Sequence, residues 1–263
     1  MADSISQPVG TGATNGADDV RTVQRLLARA SELTGDAALH PGPVDGVCGD
    51  GTEGAVARFQ RRIGLRPDGR VDAGGYTWRR LAALLAIGDL ALRFPFPKRP
   101  DRPFVGAGAG MRSFGWRRDG GRRAHAGVDL YFPEGTPVLA VADGVVRRAA
   151  PFYLRTEAVE VEHCGADGRT ACVARYGEVS SRVEPGDRVS AGDVVGTVAQ
   201  MVYNDGRRFA HTMLHFELYD DTCEGALTDQ STRCARHTDG RPFYRRRDLV
   251  DPSGILSAAP LPG

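Results

Sequence analysis

The chain has 263 residues, with 34 Lys and Arg against 33 Asp and Glu and a formal net charge of +1. This near-neutrality gives no global electrostatic signal for nucleic acid, and no stretch approaches the ~20 apolar residues of a membrane span. The length suits two modest domains of an α+β protein, a small helical bundle followed by a mainly antiparallel β domain.

The N-terminus has neither a basic start nor an apolar run, so no secretory signal is expected there. The first element is a helix: Val20, Val23, Leu27 and Ala30 recur at i, i+3, i+7 and i+10 behind the acidic pair Asp18-Asp19, which suits the helix dipole. Gly35 and Pro41-Gly42-Pro43 end it. The turn-rich segment from Asp45 to Gly51 follows, and Thr52 is the expected N-cap of a second helix running to Gln60. A third starts at Tyr76 and passes through Trp78 and Leu81 to Leu85. Phe59 and Trp78 fall on apolar stripes and read as core.

Four prolines between Ala91 and Pro103 predict a stiff extended segment. The expected division is therefore a helical domain at 1–88, a Pro/Gly-rich linker at 89–109, and a β-rich domain at 110–263. Strand-like runs include Val138–Val141, Ala158–Val161, Cys172–Tyr176 and Met213–Tyr219, separated by Gly, Asp and Pro turns. No repeat of fixed period appears. The tail from Arg241 reads as irregular, with disorder expected in its last residues. Cys164 with Cys172, and Cys223 with Cys234, each flank a loop and are expected as local disulfides, leaving Cys48 over. The clusters Arg117-Arg118, Arg122-Arg123 and Arg245 to Arg247 would meet anionic polymers or carboxylates, or simply form a solvated face.

One constellation carries chemistry. His125 and Asp129 are spaced i, i+4, and on an extended strand that step covers about 13 Å, an awkward reach for two ligands of one ion. Gly127 between them is expected to supply a bend. With His215 they make a three-ligand set that leaves a tetrahedral zinc one open position; the plain alternative for the first pair is two solvated turn residues.

The order and spacing of Ser113-Phe114-Gly115-Trp116, His125 to Asp129, Pro133-Glu134-Gly135-Thr136-Pro137, Arg175-Tyr176-Gly177-Glu178, Val183 to Gly196 and Leu214-His215-Phe216-Glu217 resemble the lysostaphin-type zinc peptidases of the M23 family, over roughly residues 110 to 220. The resemblance implies His125, Asp129 and His215 as zinc ligands and a peptide bond of the bacterial cell wall as substrate. Two departures stand out. Met213 occupies the place of the first His in the customary His-x-His, and Glu178 that of the His in Tyr-x-His. Because zinc hydrolysis still benefits from a proton acceptor, Glu178 is the first candidate for general base. His211, four residues before His215, is the second, and Glu217 suits support of a ligand from behind. Met213 reads as packing.

Asp19-Val20, Val23-Gln24, Asp45-Gly46, Thr52-Glu53, Phe59-Gln60 and Asp68-Gly69 resemble the peptidoglycan-binding domain type 1, over about residues 8 to 86. Together the resemblances imply a zinc endopeptidase with peptidoglycan as partner, acting in a secreted or periplasmic setting. An antibacterial effector of that kind would also meet a secretion apparatus component or an immunity protein. The rival readings are a non-catalytic wall-binding or amidase-activating protein on a degenerate peptidase fold, and a zinc-stabilised adaptor.

Overall fold

The structure, a computed structural model, describes residues 4–165 and 168–262. It is α+β, with three helices leading into a large antiparallel sheet. In chain order the elements are β1 (Val9–Gly10), α1 (Ala17–Thr34), α2 (Asp50–Arg62), β2 (Arg70–Val71), α3 (Tyr76–Asp89), β3 (Arg117–Arg118), β4 (Arg123–Ala124), β5 (Val128–Tyr131), β6 (Pro137–Leu139), β7 (Gly144–Pro151), β8 (Glu157–Cys164), β9 (Thr170–Ser181), β10 (Arg188–Val189), β11 (Val194–Val198), β12 (Met213–Tyr219), β13 (Leu249–Val250) and α4 (Ser253–Ala258).

The helical part is held by two buried glutamines. The Gln24 side chain donates to Asp45 Oδ1, Val47 O and Thr52 Oγ1 and accepts from Gly46 N. Gln60 does the same for the next loop, donating to Asp68 Oδ1 and Arg70 O and accepting from Asp68 N and Gly69 N. Each amide thus satisfies the backbone of one Asp-Gly turn, a structural repeat without a fixed period in the chain. Thr52 is not the N-cap of α2, which starts two residues earlier behind Gly49; its hydroxyl is used by Gln24 instead.

Among the described residues nine strands form the main sheet, in the order β10-β7-β8-β9-β11-β6, with β12 set between β9 and β5 and β13 on the far end of β12. The 12-residue β9 has one neighbour, β8, on one side, but two in succession on the other. Val173 to Gly177 pair with β12, and Val179 to Ser181 pair with β11. One sheet face is apolar: Leu214, Phe216 and Leu218 of β12, Ala174 and Tyr176 of β9, and Val159 and Val161 of β8. These pack into one continuous core with Val20, Leu27, Phe59 and Leu81 of the helices. Buried Arg80 of α3 meets buried Asp220 just past β12, and also donates to Tyr76 Oη, Arg247 O and Leu249 O.

The proline-rich segment is extended and packs against the sheet domain: Leu92, Phe94 and Phe96 are buried, Arg93 N donates to Val141 O, and Leu139 N donates to Pro95 O. Prolines stop a helix, but they leave carbonyls free to accept and φ values suited to edge pairing. Two expectations are corrected, those for the tail and for the disulfides. The tail is ordered, with β13 pairing β12 and α4 burying Ile255 and Leu256; its apolar residues are too sparse to read as an element from sequence. All five cysteines are thiols, Cys172 and Cys234 buried and the rest partly so. In the register, His163 faces Cys172 and Cys164 faces Thr170, so the loop-flanking pair is offset by two residues on β9. Among the described residues no helix is long and apolar enough to cross a membrane.

Candidate metal centre

The opposite face of the sheet floors a cleft of about 780 Å³. On β12, side chains alternate, so Met213, His215 and Glu217 point to this face while their neighbours enter the core. Asp129 of β5 lies directly opposite His215 in the antiparallel register. His125 arrives from the loop after β4, where its backbone exchanges hydrogen bonds with Trp116 O and Gly115 N. Gly127 is needed for close approach rather than for a left-handed bend. A Cβ there would stand 2.3 Å from Phe216 O and 3.1 Å from the His215 ring.

Three ligand atoms converge. His125 Nε2 lies 3.1 Å from His215 Nδ1 and 3.0 Å from Asp129 Oδ1, and His215 Nδ1 lies 2.9 Å from Asp129 Oδ1. Zinc bonds of about 2.0–2.1 Å set tetrahedral edges of roughly 3.3 Å, so the triangle fits one divalent ion after a small expansion. Each ligand is also fixed from behind, as metal ligands usually are. His125 Nδ1 donates to Ser113 O at 2.9 Å, and His215 Nε2 donates to Glu217 Oε1 at 3.0 Å. Arg118 Nη2 donates to Asp129 Oδ2 at 2.7 Å. Both imidazoles therefore turn their remaining nitrogen inward. All three side chains are buried, and they form a set that could hold a metal ion.

Glu178 reaches the same cleft by an irregularity. Strict alternation after Tyr176, a core residue, and Gly177, a cleft residue, would send Glu178 into the core. Instead β8 skips it, pairing Ala158 with Gly177 and Glu157 with Val179, and Glu178 takes φ 65°. Such a bulge redirects a side chain at a local cost, and this one stands where β9 exchanges β12 for β11. Glu178 is buried, lines the cleft, and its Oε2 is a buried oxygen with no hydrogen-bond partner among the described residues.

The electrostatics follow from burial and proximity. Burial, then the Asp129 charge, pushes the Glu178 carboxyl up to about 8. For Asp129 burial acts upward, but the imidazoles of His125 and His215 outweigh it and hold the carboxyl well below the ordinary range. Burial lowers His125. Burial also opposes charge on His215, yet its bonds to Asp129 and Glu217 win and raise it to about 9. A divalent cation among these groups would reverse the pattern, displacing the His215 proton and favouring ionised Glu178. The unpaired Glu178 oxygen and the converging lone pairs both fit such an ion.

The other candidates fall out differently. His211 packs its ring 5.0 Å from Tyr131 and is not among the residues lining the cleft. Met213 lines it as a buried side chain. The clustered arginines at 118, 245 and 246 do meet carboxylates, but the protein's own. Arg118 is committed to Asp129, Arg245 Nε donates to Glu217 Oε1 at 2.7 Å, and Arg246 pairs with Asp248 and Asp221, so these are internal partners rather than a solvated face. A strand residue such as Arg175, flanked by apolar residues that enter the core, was the available signal for a buried cation.

Residues 123–227 match the family model described as peptidase family M23, and residues 16–81 match that of a putative peptidoglycan binding domain. No curated protein matches. Among solved structures, one described as a putative peptidase M23 from Pseudomonas aeruginosa is 20% identical with a TM-score of 0.37, over 64% of this chain and 51% of that one. The catalytic domain of lysostaphin from Staphylococcus simulans is 19% identical with a TM-score of 0.35, over 64% of this chain and 90% of that one. A zinc containing peptidase from Vibrio cholerae is 21% identical with a TM-score of 0.37, over 65% and 41%. The chain thus spans about half of the first of these and most of the second.

Proposed function

We propose, for a chain that carries an M23-family peptidase domain behind a peptidoglycan-binding module, zinc-dependent hydrolysis of peptide bonds in the stems or cross-links of the bacterial cell wall. The observation that carries this reading is the convergence of His125, Asp129 and His215 with the unpartnered, buried Glu178 oxygen in one cleft. Zinc held by the three ligands supplies a lowered pKa for water and polarisation of the scissile carbonyl.

The chain's own residues supply the rest. Glu178 accepts the proton of the attacking water at Oε2 and delivers it to the leaving amine. Ser113 O, Glu217 and Arg118 hold the ligands in register, so no reorganisation is needed during reaction. His211 is the second candidate for the proton transfer. Trp116, Tyr153 and Tyr244 are exposed aromatic residues on the cleft lining and offer the substrate flat apolar contact.

In this reading the helical unit of residues 1–88 keeps the enzyme on its insoluble substrate and raises the local concentration of cleavable bonds. The peptidase unit of residues 110–263 does the cutting, and segment 89–109 joins them. The site of action is the wall or periplasm. An antibacterial role, with delivery through a secretion apparatus and an immunity protein in the producer, is the wider setting of the same proposal.

The test is metal analysis with digestion of purified sacculi by wild type, His125→Ala and Glu178→Gln. The expected result is one zinc per chain and new muropeptides from wild type only. Zinc without any released muropeptide would transfer the reading to a non-catalytic wall-binding or amidase-activating protein, to which Met213 at a customary histidine position would then belong.

A further inference from the structure

The chain leaves the sheet at Tyr219 and rejoins it at Leu249, where β13 pairs with β12. Between these points, residues 228–245 form a strap closed by antiparallel bridges from Thr228 to Arg245 and from Arg236 to Pro242. The match to the peptidase family ends at residue 227, so the strap lies past it. Its last residues, Phe243 to Arg245, line the cleft.

The strap touches the supports of two metal ligands. The first is His125. Asp129 and His215 are tied to each other by strand register, but His125 lies between β4 and β5, outside any ladder. Its place depends on segment 113–116: Ser113 O accepts from its Nδ1, Gly115 N donates to its carbonyl, and Trp116 O accepts from its backbone N–H. The strap holds both this segment and the strand before His125. Arg241 Nη2 donates to Gly115 O at 3.0 Å and its Nη1 to Arg123 O at 3.3 Å, while Ala124 N donates to Pro242 O at 2.9 Å. The Phe243 ring lies 4.8 Å from that of Phe114. Gly115 takes φ 75°, and a Cβ there would stand 2.7 Å from the His237 ring, so strap and segment meet without a gap.

The second ligand is His215. Arg245 Nε donates at 2.7 Å to Glu217 Oε1, the same oxygen that accepts from His215 Nε2 at 3.0 Å. Thr228, at the other end of the strap, accepts from Arg175 Nη1 at 3.3 Å, and that nitrogen also holds Glu217 Oε2 at 2.9 Å. Arg241 and Arg245 thus stand behind different ligands although they are four residues apart, and each side chain is only 15% exposed. Tyr244 between them takes φ 54°. Such a conformation is costly for a residue other than glycine and persists only where its surroundings fix it.

We propose that the strap is a positioning clamp for the metal centre: Arg241 fixes the His125 side and Arg245 the His215 side, so the docked strap sets the separation of the two imidazoles. This rests on the zinc peptidase reading above and extends its machinery past the family match. Neither arginine need touch the ion or the substrate, because each acts through the support of a ligand. Guanidinium suits the role, since its rigid planar donors join several acceptors at once. Arg241 joins Gly115 O, Arg123 O and Asp239 Oδ2 in this way.

The test uses the full chain as wild type, Arg241→Gln, Arg245→Gln and Arg246→Gln. Arg246 adjoins the strap and is buried, but its side chain pairs with Asp248 and Asp221, which bond no metal ligand among the described residues. Zinc affinity is read by competition with a chelating dye, ligand geometry by the visible absorption of the cobalt-loaded chain, and stability by thermal unfolding of the metal-free chain. Arg241→Gln and Arg245→Gln are each expected to weaken zinc binding by about 10- to 100-fold and to alter the cobalt bands. Arg246→Gln is expected to lower the melting temperature while zinc affinity and cobalt bands stay as in wild type. Unchanged zinc affinity in either Arg241→Gln or Arg245→Gln overturns the clamp. An equal loss in Arg246→Gln also overturns it, since that would mark a general loosening of the tail. If wild type binds zinc and the variants show the expected pattern, yet no muropeptide is released from sacculi, the peptidase reading fails and the clamp stands.

Discussion

At the scale of single residues, Glu178 concentrates the chemistry and the strain. It has a positive φ, a buried carboxylate oxygen without a partner, and a carboxyl pushed up to about 8 by burial and the Asp129 charge. Glu178→Gln is expected to lower the rate of muropeptide release by about 10²-fold or more, the usual worth of a positioned general base, while bound zinc is unchanged. The same group gives a pH signature to the metal-free protein. Its folded pKa is raised from 4.5 to about 8, so the folded state keeps a proton that the unfolded state loses. Its contribution is full below about pH 4.5 and is lost as pH rises through 8. Melting temperature of the metal-free chain should therefore fall over that window, and Glu178→Gln should flatten the fall; an unchanged slope would show that His215, also raised, carries it alone. Glu217 is the second decisive residue, since it holds His215 Nε2, buried Arg175 and partly buried Arg245. Glu217→Gln should weaken zinc affinity by about 10- to 100-fold, read by competition with a chelating dye.

Elements matter where two of them touch. The entry to β5 crosses β12 so closely at Gly127 that any side chain meets the Phe216 carbonyl. Gly127→Ala should cost about 1–3 kcal/mol or more of stability in denaturant unfolding and should reduce zinc uptake, because moving β5 separates Asp129 from His215. The bulge of β9 is the other such point. It allows one strand to serve β12 and then β11, and it delivers Glu178 to the cleft as it does so. Neither feature was legible in the sequence. A glycine between two ligands looks like a bend, and a bulge leaves no signature in a strand that otherwise alternates.

Across the whole molecule, helices and sheet share one apolar core, and the Arg80–Asp220 pair is buried at their junction. Removing one partner leaves an uncompensated buried charge. Asp220→Ala is expected to cost about 3–5 kcal/mol, whereas Arg80→Met with Asp220→Leu should recover most of that loss; thermal unfolding of the three proteins decides it. A single cooperative transition in the wild type would accompany this shared core, and two separate transitions would contradict it.

The sequence alone determined the classes of the elements and the α+β order of helices before sheet, and it pointed to His125, Asp129 and His215, which the fold brings close enough to hold one ion. Those depend on periodicity and on ligand chemistry, which are local properties of the chain. It could not determine that the proline-rich segment and the tail are pinned into the core, or that the arginines at 118, 175 and 245 stand behind the ligands and along the cleft floor. Those partners come from strands far apart in the chain, and only the register of the folded sheet brings a charge on one strand opposite its counter-charge on the next.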